Sequence, residues 1–435
     1  METIVCKFGG SSLADAAQIM KAAEIVRADR RRKYVVASAP GKRYPVDVKV
    51  TDMFYKCYDL ASNKKDFRPV LNEIGERFRY IIHDLGISFD LDTELDLIAK
   101  VLLAAPQKDY AASRGEYLNS KILAAYLDFP FVDPVRYVRF TDDGRFNEAE
   151  TDTALAAVLA SLPNAVIAGF YGARPDGSIR TFDRGGSDVT GALVAAAVHA
   201  DLYENWTDVS GMLAADPRIV QDPRVVDIIS YRELRILSYM GASVLHTDAI
   251  LPVRRANIPI NIRNTNRPED PGTMIVPDAN VRTHAVTGAA GRKGLSVVQV
   301  EKAMVSDGAG FTAILLDIFR MHRIPFEQCL TGIDTVSVVI RSDLFRPAKD
   351  IILKEIQESL SPDKMDVLED LSMIAVVGEG AHDAHGVTTR ILNAVEQAGI
   401  MISTINQGAG DLNLIIGVAE EDYENAVRTI YKVIS

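Results

Sequence analysis

From the amino terminus to about Val276, short β-branched runs alternate with longer stretches of helical period, and that alternation admits few folds. Strands are expected at Ile4–Lys7, Tyr34–Ser38, Ala165–Phe170, Leu202–Thr207 and Ile258–Ile262. Helices are expected at Asp15–Arg30, Asp92–Leu103, Glu116–Leu127, Ala149–Ala160 and Val189–Ala200. Parallel neighbours need a crossover long enough to hold a helix, so this order predicts a mostly parallel sheet covered by helices on both faces. Thr141–Arg145 (TDDGR) and Pro175-Asp176-Gly177 carry turn residues, and each is expected to close a hairpin at the sheet's margin.

The texture changes over residues 264–293, where proline, glycine and asparagine punctuate the chain, and the main domain boundary is expected there. Beyond it lies an internal repeat. A shift of 76 positions lays Gly310–Ile340 over Gly386–Ile416 without a gap, matching Gly310 to Gly386, Thr312 to Thr388, Leu316 to Leu392, Ile324 to Ile400 and Gly332 to Gly408. Each copy reads as a strand, a glycine turn, a helix and two further strands, so the tail should hold two related small α+β units. Sheets this small need a partner to cover one face, which points to pairing with each other or across a dimer.

A length of 435 residues with 48% apolar and 25% charged side chains is ordinary globular usage, and about 150 residues per domain suggests roughly three domains. The net charge of −11 argues against nucleic acid as a partner. The basic run Arg27–Lys33 follows an apolar-periodic stretch and reads as a solvated helix end. Cys6, Cys57 and Cys329 are too few and scattered for a disulfide framework or a zinc knuckle, and fit a reducing compartment. No apolar run approaches the ~18 residues needed to span a bilayer, and the amino terminus shows no leader, so a cytoplasmic protein without membrane partners is expected.

Chemistry concentrates in a few loops. Lys7-Phe8-Gly9-Gly10-Ser11-Ser12 ends the first strand and opens a helix; the glycines would let main-chain amides approach an anion, with Lys7 beside it. Lysine precedes the glycines and no GK[ST] follows, so this is not a Walker loop, and a plain strand–turn–helix corner would look the same. Thr181–Asp188 (TFDRGGSD) feeds a very apolar helix. Ser187 or Asp188 could cap it; alternatively Gly185 and Gly186 expose amides, Arg184 offers a fork to a carboxylate, and Asp188 holds Lys7 by charge. Two glycine loops at strand ends of one sheet converge on the crevice where open α/β sheets bind ligands. Thr207-Asp208-Val209-Ser210-Gly211, followed by Asp216-Pro217-Arg218, could meet a ribose or a metal-bound water, or be ordinary turn caps. Gly378-Glu379-Gly380 does not complete a dinucleotide fingerprint, because position 383 is Asp, and His382 and His385 lack a third metal ligand.

In this order the pieces resemble the aspartate kinase family over essentially the whole chain: KFGGSS, Ser113-Arg114-Gly115-Glu116, RGGSD, TDV.G followed by DPR, and GASVLH. The resemblance implies an amino-acid-kinase sandwich with a mostly parallel central sheet, followed by two small ferredoxin-like ACT domains. It places the catalytic domain over residues 1–280, one ACT domain over 294–362, and a second over 281–293 with 370–435, one threaded into the other. A strand near Thr283–Thr287 would join the second. It further implies transfer of the γ-phosphate of MgATP to the side-chain carboxylate of L-aspartate, the first step toward lysine, threonine and methionine. Carried over by position, Lys7 and Asp188 are catalytic, and Lys7, Phe8, Gly9, Gly10, Thr207, Asp208 and Arg218 serve the nucleotide, with Ser243 where many relatives have a lysine. Leu213 likewise stands where many have a tyrosine. Arg184 would hold the aspartate carboxylate, Glu116 its ammonium and Thr51 a hydroxyl contact, with Gly185, Gly186 and Ser187 in the same set. Ser306, Asp307, Gly310, Phe311, Phe326 and Glu327 resemble the effector-binding turn and strand. The effector would be lysine, with threonine second, bound in a homodimer or dimer of dimers formed through the ACT domains; ordinary strand–helix turns would account for the same residues. Magnesium would travel with ATP, without protein ligands.

The physics fits that allocation. Phosphoryl transfer needs positioning and positive charge, and a carboxylate acceptor needs no general base, which explains why no His or Cys nucleophile stands out. Two rivals remain at this level: a kinase of glutamate or N-acetylglutamate, and a silent amino-acid sensor that keeps only the regulatory tail.

Overall fold

In the computed structural model, residues 2–183, 185–242, 245, 250–277, 284–303, 310–378, 386–407 and 413–435 are described. They fall into two units: residues 1–212, 225–231 and 244–281 form the first, and 213–224, 232–243 and 282–435 the second.

The first unit is built on an eight-stranded sheet. Its strands are β1 (Ile4–Phe8), β2 (Arg32–Ala37), β3 (Phe131–Val132), β4 (Ala165–Ala168), β7 (Leu202–Thr207), β8 (Ile228–Ser230), β9 (Ile260–Asn264) and β10 (Thr273–Val276), in the order β3-β4-β2-β1-β7-β9-β10-β8. Neighbours from β3 to β9 are parallel; β10 runs antiparallel to β9, and β8, parallel to β10, is reversed with it. A separate hairpin, β5 (Tyr171–Ala173) with β6 (Ile179–Thr181), is closed by the expected Pro175-Asp176-Gly177 turn, so it stands beside the main sheet rather than on its margin. The TDDGR turn closes a single Phe140–Phe146 bridge.

The longer helices are α1 (Ala16–Ala28), α2 (Val50–Ser62), α3 (Arg68–Leu85), α4 (Leu91–Ala104), α5 (Lys108–Leu127), α6 (Glu148–Ala160) and α7 (Gly186–Ala197), and a short helix spans Leu251–Arg255. The reading along the chain left out α2 and α3 and began α5 at Glu116. Gly115 lies inside α5, at a point where a Cβ would come within 2.8 Å of the Ala39 Cβ. Only a bare backbone lets α5 lie this close to the β2 exit, and that contact outweighs glycine's helix penalty of about 1 kcal/mol.

Side-chain alternation along β1 and β7 divides the faces. Cys6, Phe8 and Trp206 join the apolar cluster with α1 to α5. Lys7, Tyr203 and Asn205 point to the other face, where α7 packs. From β1 the chain runs first toward β2 and β4 and later, through α7, to β7 on β1's other side. The order therefore reverses at β1, and a crevice opens beyond the carboxyl ends of β1 and β7.

The second unit carries a six-stranded antiparallel sheet in the order β12-β13-β11-β14-β16-β15. The long strands β11 (Gly288–Glu301) and β14 (Lys364–Val377) lie side by side at its centre. The others are β12 (Phe326–Thr331), β13 (Thr335–Arg341), β15 (Ile402–Asn406) and β16 (Asn413–Ala419). The unit's longer helices among the described residues are α8 (Phe311–Met321), α9 (Lys349–Leu360), α10 (Val387–Gln397) and α11 (Tyr423–Ile434). The shift of 76 maps both ends of β11 onto β14 and both ends of α8 onto α10, so the sequence repeat is a structural one. Gly310 and Gly386 cap these helices at φ 108° and 84°, a conformation that favours glycine. Each long strand serves two cores. Ala289 of β11 lies in one with Ile374 and Val376, while Val298 and Val300 lie in the other with Phe311 and Phe345. Among the described residues no helix is long and apolar enough to cross a membrane.

Candidate active site

The crevice at β1 begins with a backbone corner. The Gly9 amide donates to Trp206 O at 2.9 Å, and the chain then enters a tight turn in which Ser12 N donates to Gly9 O and Leu13 N to Gly10 O. The loop leaving β2 packs against this corner main chain to main chain, with Gly41 N donating to Gly10 O at 2.8 Å. A Cβ on Gly41 would lie 2.5 Å from the Gly10 carbonyl carbon and 2.7 Å from Ser11 N. That space exists only for glycine.

The second corner is the start of α7. Gly185 adopts φ 58°, ψ 24°, and its carbonyl accepts from Asp188 N at 2.8 Å. Gly186 fits under Phe170, and Ser187 seats on Gly169, where a Cβ would meet the Ser187 Oγ at 2.5 Å. Asp188 in the first helical turn is well placed electrostatically. Its Oδ1 lies 2.5 Å from the Lys7 Nζ, and Asn205 holds both, donating Nδ2 to Asp188 Oδ1 at 3.1 Å while its Oδ1 accepts from Lys7 at 3.3 Å. The two glycine corners are thus joined by a nearly buried ion pair.

Beyond Gly9 and Gly10 opens a cavity of about 500 Å³, lined also by Ser38–Lys42, Lys49, Thr51, Glu116, Thr207 and Asp208. Glu116 is the unusual member. It is 6% exposed, and its Oε2 has no hydrogen-bond partner among the described residues. Burial pushes its carboxyl up to about 8, against the main-chain N–H groups of Glu116 and Ala39 and the charge of Arg114, which pull it down. Arg114 itself is caged by Tyr110, Tyr117 and Tyr171, with ring centroids 4.5–5.4 Å from its guanidinium carbon. A carboxyl group buried on a cavity wall, with no ion-pair partner among the described residues, is a receptor for a cation once it ionises. At the far side, the Thr207 hydroxyl donates to Asp208 Oδ1 at 3.1 Å, at the open end of β7.

Of the residues expected to act, the structure therefore brings together Lys7, Gly9, Gly10 and Asp188, and places Thr51, Glu116, Thr207 and Asp208 on one cavity with the first corner. Phe8 is buried and stacks on Trp206, contributing its main chain only. Arg184 and Ser243 lie outside the described residues. Arg218 belongs to the second unit, where its guanidinium is bound to Asp216. Also in that unit, Phe311 packs into the core, and the Glu327 carboxylate is taken up by Arg292 at 2.8 Å and by the Tyr239 hydroxyl. Phe326 is exposed at the start of the edge strand β12, and Gly310 caps α8. Ser306, Asp307, Glu379, Gly380, His382 and His385 lie outside the described residues. Asn205, Lys42 and Lys49 are site residues the sequence reading missed. Strand alternation from Tyr203 could have flagged Asn205; the lysines sit in a loop of no regular period.

Residues 2–264 match the amino acid kinase family, and residues 374–434 match the ACT domain. The chain is 34% identical to aspartokinase 3 of Bacillus subtilis strain 168 over 444 residues, covering 98% of both chains. It is 28% identical to the lysine-sensitive aspartokinase 3 of Escherichia coli K12, over 99% of this chain and 98% of that one. Among solved structures, aspartate kinase of Clostridium acetobutylicum superposes with a TM-score of 0.90 at 42% identity, and E. coli aspartokinase III in complex with aspartate and ADP with 0.73 at 25%, each covering both chains fully. A fold, a site and a full-length likeness thus agree, and the chain belongs to the aspartokinases of the amino acid kinase family, with an ACT domain in its carboxyl-terminal part.

Proposed function

We propose that this chain transfers the γ-phosphate of ATP to the side-chain carboxylate of L-aspartate and is regulated by an amino acid bound in its second unit. The observation that carries the acceptor assignment is Glu116, a buried acid whose Oε2 has no partner among the described residues, on the wall of a cavity that begins at the phosphate-type corner. An amino-acid ammonium satisfies it, and Thr51 on the same cavity supplies a hydroxyl. Arg184 takes the substrate's carboxylate in this reading, and Gly185, Gly186 and Ser187 form the loop around it.

The corner amides of Gly9 and Gly10 receive phosphate oxygens, and Lys7, held by Asp188 and Asn205, carries the charge that develops on the migrating phosphoryl group. Thr207 and Asp208 face the nucleotide. Among the described residues no group of three or more His, Cys, Asp or Glu could cage a metal. In this reading Mg²⁺ would travel with ATP and neutralise its oxygens, and Asp208 on the cavity wall would face its waters.

For regulation, we assign residues 1–280 to catalysis, 294–362 to one ACT domain, and 281–293 with 370–435 to the other. Lysine is the proposed effector, supported by the lysine sensitivity in the name of the E. coli relative. The proposed assembly is a dimer formed through the ACT domains, with the partner strand or helix covering what the small sheets leave open. The test is ADP release from the purified chain with aspartate, glutamate and N-acetylglutamate in turn. Only aspartate should support turnover, and Arg184→Ala should chiefly raise its KM. Turnover with glutamate alone, or an unchanged aspartate KM in Arg184→Ala, would refute the acceptor assignment.

A further inference from the structure

The segment from Pro40 to Val50 is a built loop rather than a slack one. Val50 N donates to Pro40 O at 3.3 Å to close its base, and Asp47 N donates to Tyr44 O across its tip. Arg77 of α3, 6% exposed, pins it from behind: Nη1 donates to Val48 O at 2.9 Å, and Nη2 donates to Gly41 O and to Ala14 O at 3.0 Å. One guanidinium thus ties the loop to the turn that follows Gly10. Within the loop Arg43 is spent on Asp47 through contacts of 2.8 and 2.9 Å. Lys42 and Lys49 are not. Among the described residues Lys42 donates to Pro45 O at 3.3 Å and has no ion-pair partner, Lys49 likewise has no ion-pair partner, and both line the cavity.

Charge makes this informative. ATP brings about four negative charges to a phosphoryl-transfer site, of which one Mg²⁺ cancels about two. The Lys7 charge is already matched by Asp188, and among the described residues the ionisable groups lining the cavity besides Lys42 and Lys49 are two acids, Glu116 and Asp208. Lys42 follows Gly41 directly, and Gly41 lies on Gly10 itself. We infer that the Pro40–Val50 loop is a second phosphate-binding wall, in which Lys42 and Lys49 contact the nucleotide's polyphosphate opposite the Gly9–Gly10 amides. This rests on the reading of the cavity as the nucleotide and substrate site, but not on which amino acid is the acceptor.

The test is titration calorimetry of the full chain with MgATP, without amino acid, at low and physiological salt, for wild type, Lys42→Met, Lys49→Met and the double variant. Both lysines are exposed, so folding should be untouched, and equal thermal midpoints check that. Losing charge-assisted contacts should weaken MgATP binding about tenfold or more in the double variant, flatten its salt dependence, and be largely restored by Lys42→Arg with Lys49→Arg. A double variant within twofold of wild type, with the same salt dependence, overturns the inference. If the wild-type chain binds MgATP but does not use aspartate, the acceptor reading fails while this one is still decided. A wild-type chain that does not bind MgATP overturns both.

Discussion

Replacing Glu116 with Gln should move stability and substrate binding in opposite directions. In the folded chain this carboxyl titrates at about 8 instead of the ordinary 4.5, because burial disfavours its charge. Between those values the folded state holds a proton that the unfolded state has lost, so wild-type stability falls as pH rises through the window. At ~1.4 kcal/mol per pH unit the full window is worth roughly 4–5 kcal/mol. Glutamine is close in shape and never ionises. The variant should therefore match wild type near pH 5 and exceed it by a few kcal/mol near pH 8.5, read by denaturant unfolding. Aspartate binding should suffer instead, since losing one partner of a buried charge pair costs about 2–5 kcal/mol, a rise in KM of roughly 30-fold or more. Wild type must shed its proton to pair with the substrate's ammonium. Its aspartate KM should fall as pH rises from 6 to 8, approaching tenfold per unit, and then level off. Coupled assay of ADP release across that range gives both results. An aspartate KM within threefold of wild type in Glu116→Gln, or a wild-type KM flat from pH 6 to 9, would refute the reasoning.

Lys7→Met leaves the Asp188 carboxylate with the Asn205 amide as its one side-chain partner among the described residues, so a loss of about 1–3 kcal/mol in unfolding free energy is expected. Turnover should drop on the order of 10²–10³-fold, with aspartate KM changed far less; a retained kcat would remove Lys7 from the transfer step. Gly41→Ala puts a methyl 2.5–2.7 Å from Gly10 main-chain atoms that cannot swing aside. Unfolding free energy should fall by about 1–3 kcal/mol and the KM for ATP should rise, and an unperturbed variant would show that the two walls need not touch. Added lysine should lower aspartate-dependent velocity with a coupling of about 1–3 kcal/mol, measured beside a parallel threonine titration; no response to lysine would leave the effector unassigned.

What the sequence disclosed was local or periodic. The Lys7–Ser12 corner, the Gly185–Asp188 corner and the repeat are contiguous patterns, and β7 appears with the expected bounds. What it concealed depends on pairing at a distance. Asn205 lies 198 residues from Lys7, and only the register of β1 with β7 sets them side by side. The helix expected from Glu116 begins at Lys108 instead and carries Gly115 inside it, where close packing on Ala39 gives a bare backbone its use. Arg77 reads as one charge on an amphipathic helix, yet it is buried and caps the main chain of two loops. Residues 213–224 and 232–243 belong to the second unit although the chain has not yet left the first, and no change of composition announces the excursions. Glu327, a free-looking acid on an edge strand, is already committed to Arg292 and Tyr239.

The most direct measurement is chemical identification of the product. Incubating the chain with MgATP, aspartate and hydroxylamine traps any acyl phosphate as a hydroxamate, and mass spectrometry with an authentic standard tells the side-chain derivative from the main-chain one. Side-chain aspartyl hydroxamate in step with ADP is expected, and it should be lost in Lys7→Met. ADP formed without hydroxamate, or a hydroxamate on the main-chain carboxylate, would contradict transfer to the side chain of aspartate.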